Sequence, residues 1–318
     1  MRRGFTTGTA ATAAAIACVL GNNHDKVNVK LPSGDYLSID IVRKGGKVGV
    51  IKDAGDDPDV TDGIFIYADA TFTDDGKIEI AGGEGVGIVT RVGLSIPVGS
   101  SAINPAPLNM IIENVAPLLN GRGVKITIHA ENGQEIAEKT FNSRLGIVGG
   151  ISIIGTTGIV EPMSSEAIIA SIRCEIDILA AENTPSIWCV PGRIGERALL
   201  AELPNVKVVQ MSNFVGDTLD YIRQKGYKRV GLAGHPGKLA KICMGVRDTH
   251  SSRSTQANEY VERLLGIDSI NTLEEICVAE KLDRLAEEIS IKAATDYGFE
   301  SVNVLLFSMN GTLVGRYE

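Results

Sequence analysis

Apolar and polar positions repeat with two different periods along this chain, and the change between them divides it in two. In the first half short alternating runs dominate: residues 26–31, 36–42, 47–51 and 64–72 each predict a strand between turns of Gly, Asp and Pro. An Ala-rich run, Ala10–Ala17, precedes them. Thr7 or Thr9 can cap it and Leu20-Gly21 closes it, which predicts a helix whose small side chains allow close packing. Pro105–Leu119 predicts a second helix with Pro in its first turn, and Val124–His129 a further strand. Residues 1–145 therefore read as an α+β domain with an antiparallel or mixed sheet.

From Ser164 the pattern turns to helix-strand alternation. Ile168, Ile169, Ile172, Ile176 and Leu179 form one apolar stripe, with Arg173, Glu175 and Asp177 facing away. Strands are predicted at Ser186–Val190, Val206–Gln210 and Arg229–Ala233, each followed by a helix. The stretch from Ser254 to Tyr297 reads as mostly helical, and Ser301–Phe307 supplies one more strand. Residues 146–318 thus predict a Rossmann-like, doubly wound α/β domain with a mostly parallel sheet. In such a sheet the loops after the strands share one edge. Pro191–Glu196, Met211–Asn213 and Gly234–Lys238 are expected there together, around a small-molecule pocket.

Composition narrows the class of partner. A formal net charge of −8, with no basic patch, disfavours nucleic acid. Five cysteines without a CxxC, an odd number, exclude a disulfide framework, and the four histidines have no metal-ligand spacing with them, so no protein-held metal is expected. There is no signal-peptide pattern. The longest apolar stretch, Gly146–Val160, is broken by Gly and Thr and does not suit a bilayer span. A soluble, cytoplasmic protein without membrane contact is the expectation.

Several segments carry candidate chemistry. Gly234-His235-Pro236-Gly237-Lys238 joins a strand to a helix, where free N–H groups favour an anion; a simple tight turn explains its Gly and Pro equally well. It lacks the Walker spacing, and Gly231, Gly234 and Gly237 do not have the dinucleotide spacing. His250, between Asp248 and the Ser251-Ser252 pair, has the chemistry of a base, although a lone His is more often simply a surface or packed residue. Lys52–Gly63 gathers Asp53, Asp56, Asp57, Asp59 and Asp62, either as solvated Asx turns or as a carboxylate positioned to take a proton. Gly146–Met163 sets Thr156 and Thr157 between Gly155 and Gly158, which suits close approach of backbone to a flat ligand or, equally, a packed connection. Thr6, Thr7 and Thr9 are more hydroxyls than one helix cap requires. No GxSxG elbow is present.

Taken in order, RRGFTTGTAATAAA (residues 2–15), KDAGDDPDVT (52–61), GGEGVGIVTRVGL (82–94), AINPAP (102–107), KTFNSRLGIVGGISIIGTTGIVEPMS (139–164), GHPGKLAK (234–241) and THS (249–251) resemble the CbiD family. The resemblance implies methyl transfer from S-adenosylmethionine to ring carbon 1 of cobalt-precorrin-5B, giving cobalt-precorrin-6A in anaerobic cobalamin biosynthesis. Cobalt then arrives with the tetrapyrrole substrate, and other enzymes of that pathway are possible partners. By assignment onto matching positions, His250, His235 and Asp53 are candidate proton acceptors. Candidates for holding substrate or donor are Thr6, Thr7, Thr9, Asp56, Asp57, Asn104, Arg144, Gly155, Thr156, Thr157, Gly158, Ser212, Asn213, Gly234, Gly237, Lys238 and Ser251. The chain departs from the family pattern at Ala10, where Cys is usual, at Leu108, where Arg is common, and in Arg253–Tyr260. A non-catalytic tetrapyrrole-binding scaffold is the alternative from another class. A small-molecule kinase, suggested by GGEGVG, is weakened by the failed Walker pattern.

Overall fold

The computed structural model describes residues 1–21, 23–267, 271–279 and 282–318. The chain divides into two compact units, Met1–Ser165 and Glu166–Glu318.

In the first unit β1 (Gly4–Phe5) leads into α1 (Thr7–Val19), followed by β2 (Lys26–Lys30), β3 (Tyr36–Asp40), β4 (Val42–Lys44), β5 (Lys47–Ile51), β6 (Phe65–Thr73), β7 (Ile78–Gly82) and β8 (Ile88–Val89). Then come α2 (Pro105–Val115), β9 (Gly123–Ala130), α3 (Gly133–Ala137), β10 (Ile147–Val148) and β11 (Ile159–Val160). The main sheet runs β4-β5-β6-β9-β7; it is antiparallel except for the parallel pair β7–β9, so it is mixed. Its core is built on α1. Ala10, Ala11, Ala13, Ala14, Ala15 and Ala17 are all fully buried, because a helix of methyl groups can be packed on every side, here by β5, β6 and α2.

The expected boundary at residue 145 is corrected to Ser165. The polar backbone of Gly146–Met163 is satisfied within the first unit: β10 pairs with β8, β11 with β1, and Ile154 O and Gly158 O accept from Gly8 N and Thr6 N.

The second unit continues with α4 (Ser165–Ala181), β12 (Ile187–Val190), α5 (Arg193–Glu202), β13 (Val208–Gln210), α6 (Val215–Gln224), β14 (Arg229–Gly234) and α7 (Pro236–Cys243). It ends with α8 (Asn258–Leu265), α9 (Leu273–Ala279), α10 (Asp283–Tyr297), β15 (Ser301–Phe307) and β16 (Leu313–Tyr317). Its sheet order is β13-β12-β14-β15-β16, parallel except for the last strand. One face packs Trp188, Val190, Leu305 and Phe307 on Ala198 and Leu199 of α5. The other carries Leu219, Ile222, Leu239, Ile242, Leu285 and Ile289 from α6, α7 and α10. Burial on both faces explains why β12 and the Val304–Phe307 part of β15 read as unbroken apolar runs. The sheet is doubly wound, and the strand order reverses between β12 and β14.

Two helix details are corrected. The cap of α1 is Thr6, whose hydroxyl accepts from Thr9 N. On α4 the expected stripe is shifted: Ile168 is 42% exposed and Glu175 is buried with Ile172, Ile176 and Leu179. Glu175 stands three residues after Ile172 and four before Leu179, so the helical repeat carries it into the buried face.

Candidate functional site

The reversal between β12 and β14 is where an open parallel sheet leaves a crevice outside its carboxyl ends. Here the two bounding loops abut: a Cβ at Gly234 would lie 2.8 Å from Pro191 Cδ. Glycine at 234 is what allows the approach. From the neighbouring strand, β13, come Ser212, in the left-handed region at φ 52, and Asn213. Lys238 Nζ donates to Asn213 Oδ1 at 2.7 Å, and Gln210 Nε2 to Glu196 Oε2 at 2.6 Å, which ties β13 to α7 on one side and to α5 on the other. Thr249 N donates to Asn213 O at 2.9 Å. The structure therefore brings together the three loops that connectivity placed at one edge, and adds the Thr249-His250-Ser251 segment to them.

His235 is committed to structure. Its Nδ1 accepts from Gly237 N at 3.0 Å and so caps α7, which leaves the proton of the neutral ring on Nε2, 2.9 Å from Glu274 Oε2. Glu274 also accepts from Met309 N. Lys238 N and Leu239 N donate to His235 O, so the anion-ready helix start expected at this loop is already closed by its own histidine. His235 and Gly237 are thus a cap pair rather than a base and a ligand contact.

Ligand atoms of His235, Glu274 and Cys277 lie within 4.8 Å of one another. Their chemistry does not fit a cation as arranged. An imidazole that coordinates through Nε2 carries its proton on Nδ1, and that proton would oppose Gly237 N–H. Cys277 Sγ is turned to the Leu273 carbonyl, to which it donates at 3.2 Å, and burial, then the Glu274 carboxylate, push its thiol up to about 11.

Of the three candidate proton acceptors, His250 alone keeps a ring nitrogen open. It is exposed; Nδ1 accepts from Ser252 N at 3.3 Å and lies 2.8 Å from Ser252 Oγ, which leaves the proton of the neutral ring on Nε2, a donor with no hydrogen-bond partner among the described residues. Ser251 beside it is exposed as well. The start of α5 contrasts with that of α7. Gly192 offers no side-chain cap, and among the described residues the N–H groups of Arg193, Ile194 and Gly195 have no acceptor. Sequence reasoning missed Lys241, which is only 6% exposed. Its one sequence signal is that it follows Lys238 by three residues, on the same helix face.

The remaining predicted residues belong to the first unit, where most serve as a clasp. Asp53 pairs with the Arg2 guanidinium through both oxygens and also accepts from Gly55 N; the Arg2 hydrogen bond, then that of Gly55, hold its carboxyl below the ordinary range. It is an ion-pair partner, not a proton acceptor. Asp56 accepts from Arg2 N at 2.6 Å, Asp57 from Met163 N at 2.8 Å and Asp62 from Ala54 N at 2.7 Å. Asp59 pairs with Lys52, which is 1% exposed.

The Thr hydroxyls are spent in the same way. Thr7 Oγ1 donates to Ser152 O or Ile154 O, Thr9 Oγ1 to Gly158 O at 2.6 Å, and Thr6 caps α1. A Cβ at Gly155 would strike Thr6, and one at Gly158 would strike Leu31, so these glycines serve packing against α1 and its neighbours. Thr156 and Thr157 remain exposed, with Thr157 bonded locally to Ile159 O. Asn104 precedes α2 without a side-chain cap, and Arg144 O accepts from Arg91 at 2.7 Å. The glycines of GGEGVG also pack: a Cβ at Gly83 would strike the His129 ring, and one at Gly85 the Ala130 carbonyl. That loop is not built as a phosphate cradle.

The family model described as CbiD matches residues 1–162. A cobalt-precorrin-5B C(1)-methyltransferase from Moorella thermoacetica is 39% identical over 350 aligned residues, which cover 100% of this chain and 95% of that one. A relative of the same name from Thermoanaerobacter sp. is 44% identical, covering 79% of this chain and 72% of its own. The crystal structure of a cobalamin biosynthesis protein (cbiD) from Archaeoglobus fulgidus is 29% identical, covering 85% of this chain and 86% of that chain, with a TM-score of 0.44.

Proposed function

The chain belongs to the CbiD family, and from that premise we propose that it moves the methyl group of S-adenosylmethionine to ring carbon 1 of cobalt-precorrin-5B. The products are cobalt-precorrin-6A and S-adenosylhomocysteine, in anaerobic cobalamin biosynthesis. The observation that carries this reading is the similarity, along the whole chain, to a relative of that name from Moorella thermoacetica. Cobalt is cargo of the tetrapyrrole. The work belongs in the cytoplasm, and among the described residues no helix is long and apolar enough to cross a membrane.

In this transfer the S–CH3 bond breaks with its electron pair left on sulfur, while the ring carbon supplies the pair for the new C–C bond. The demand on the protein is to position both partners and keep water from the approach. The crevice at the strand reversal supports a ligand site of that kind: Gly192 and Gly234 keep its walls low, and Asn213, Lys238 and the open N–H groups of α5 offer polar contacts. Where a proton must leave the tetrapyrrole, His250 is the acceptor we assign, through Nδ1, which exchanges its bond from Ser252 N for the incoming proton.

The test is anaerobic incubation of the purified protein with cobalt-precorrin-5B and methyl-labelled S-adenosylmethionine, read by mass and carbon NMR. One labelled methyl at ring carbon 1 is expected. Binding of both ligands without transfer would replace the enzyme by a tetrapyrrole-binding scaffold of the same pathway.

A further inference from the structure

Lys238 and Lys241 stand one turn apart on α7, at the carboxyl edge of the second unit's sheet. Lys241 is 6% exposed and donates to Thr249 O at 3.2 Å and Ser254 Oγ at 2.8 Å. Lys238 is half-buried and donates to Asn213 Oδ1. Among the described residues no carboxylate lies within ion-pair distance of either ammonium. The acid whose charge acts on Lys238, Asp248, is engaged elsewhere, with Arg253 at 2.9 Å and His250 N at 3.0 Å. Lysines are rarely buried to this extent without a counter-charge, because neutral oxygens replace only part of their lost hydration. Burial, then the Lys241 charge, lower the Lys238 pKa, which is the electrostatic form of the same deficit.

We infer that Lys238 and Lys241 form an anchor for one carboxylate of a ligand. Lys238 makes the direct contact, since its ammonium has three donors and only Asn213 uses one, while Lys241 adds charge from the buried side. The start of α7 itself is closed by His235, so the contact made there is that of an ammonium with an anionic oxygen, and a carboxylate is the anion that both the donor and the tetrapyrrole carry. Under the methyl-transfer reading, on which this step rests for its two sources, the carboxylate is that of the donor's amino-acid end or an acetate or propionate of the tetrapyrrole.

The experiment compares wild type with Lys238→Met and Lys238→Arg in three titrations. First, citrate is added in thermal melts against chloride at matched ionic strength; it is expected to raise the melting temperature of wild type and Lys238→Arg but not of Lys238→Met. Second, S-adenosylhomocysteine is compared with 5′-methylthioadenosine, which has the same nucleoside without the amino-acid end. Third, cobalt-precorrin-5B is titrated anaerobically by its absorption. A loss of about tenfold or more on Lys238→Met is expected for one of these two ligands. If S-adenosylhomocysteine weakens while methylthioadenosine does not, the donor is held; if the tetrapyrrole weakens instead, the substrate is. A Lys238→Met protein that melts like wild type in chloride and binds citrate and both ligands as wild type does would overturn the anchor. Citrate binding lost on Lys238→Met, in a protein that binds neither donor nor tetrapyrrole, would keep the anchor and remove the methyl-transfer reading.

Discussion

At the scale of single residues, the first unit's carboxylates act through their partners. Asp59 shows how. Burial works to raise its pKa, but the Lys52 hydrogen bond and charge, with Thr61, outweigh burial and hold it low. Lys52 is enclosed, so Asp59→Asn leaves an uncompensated buried ammonium, and a loss of about 3 kcal/mol in urea unfolding is expected. Asp53 is lowered by Arg2, and Asp248 is lowered because the His250 N–H and Arg253 outweigh its burial. A carboxylate whose folded pKa lies below its unfolded value stabilises the fold above the unfolded pKa, near 3.9, and that contribution is lost as pH falls through the folded value. The urea midpoint is therefore expected to be flat from about pH 7 to 5 and to fall steeply below about pH 4. Asp59→Asn should flatten that fall, and an unchanged slope would remove the carboxylate from the account. Residue chemistry of this kind was only half legible in the sequence. Asp53 and His235 have the side chains of proton acceptors, and nothing local shows that Arg2 or Glu274, far along the chain, has taken them up.

At the scale of elements, legibility followed burial. β12, β14 and β15 stand close to their predicted bounds, because strands covered on both faces carry apolar stretches such as Ile187–Val190 and Val304–Phe307. The two-residue strands β1, β8, β10 and β11 were invisible. Two residues have no period, and their pairing is set by the tertiary closure of Gly146–Met163 on the N-terminal arm and on Ile88–Val89. That closure depends on glycine. Gly85 has φ +76 and would place a Cβ 1.9 Å from Ala130 O, whereas Gly99, at φ +86, faces open space. Gly99→Ala is expected to cost about 1 kcal/mol and Gly85→Ala at least about 3 kcal/mol, or soluble expression altogether. Equal melting temperatures for the two would contradict this packing. The start of α7 makes a parallel case. His235→Ala removes the cap and should lower the melting temperature by about 3 °C, while His235→Asn, which can still cap, should recover part of it.

At the scale of the molecule, the division into two units has an energetic consequence. Among the described residues, the buried core around α1 is drawn from Ala10–Ile153 and the two cores of the doubly wound sheet from Ile172–Val314. The sequence placed the change of architecture near 145 because the pattern there becomes Gly-rich and loses its strand alternation. Hydrogen bonds, not pattern, assign that segment to the first unit, and periodicity does not report them. The cut that respects both units falls between Met163 and Ser164: Met163 N is bonded to Asp57, and α4 begins at Ser165. Expressed separately, residues 1–163 and 164–318 are each expected to unfold in one cooperative urea transition by circular dichroism. The second fragment contains both lysines of the carboxylate anchor and should keep the citrate-induced rise in melting temperature. If 164–318 folds cooperatively but loses that response, the anchor needs groups from the first unit. If it does not fold, the units are one cooperative body despite their separate cores, and substitutions in either will be felt in both.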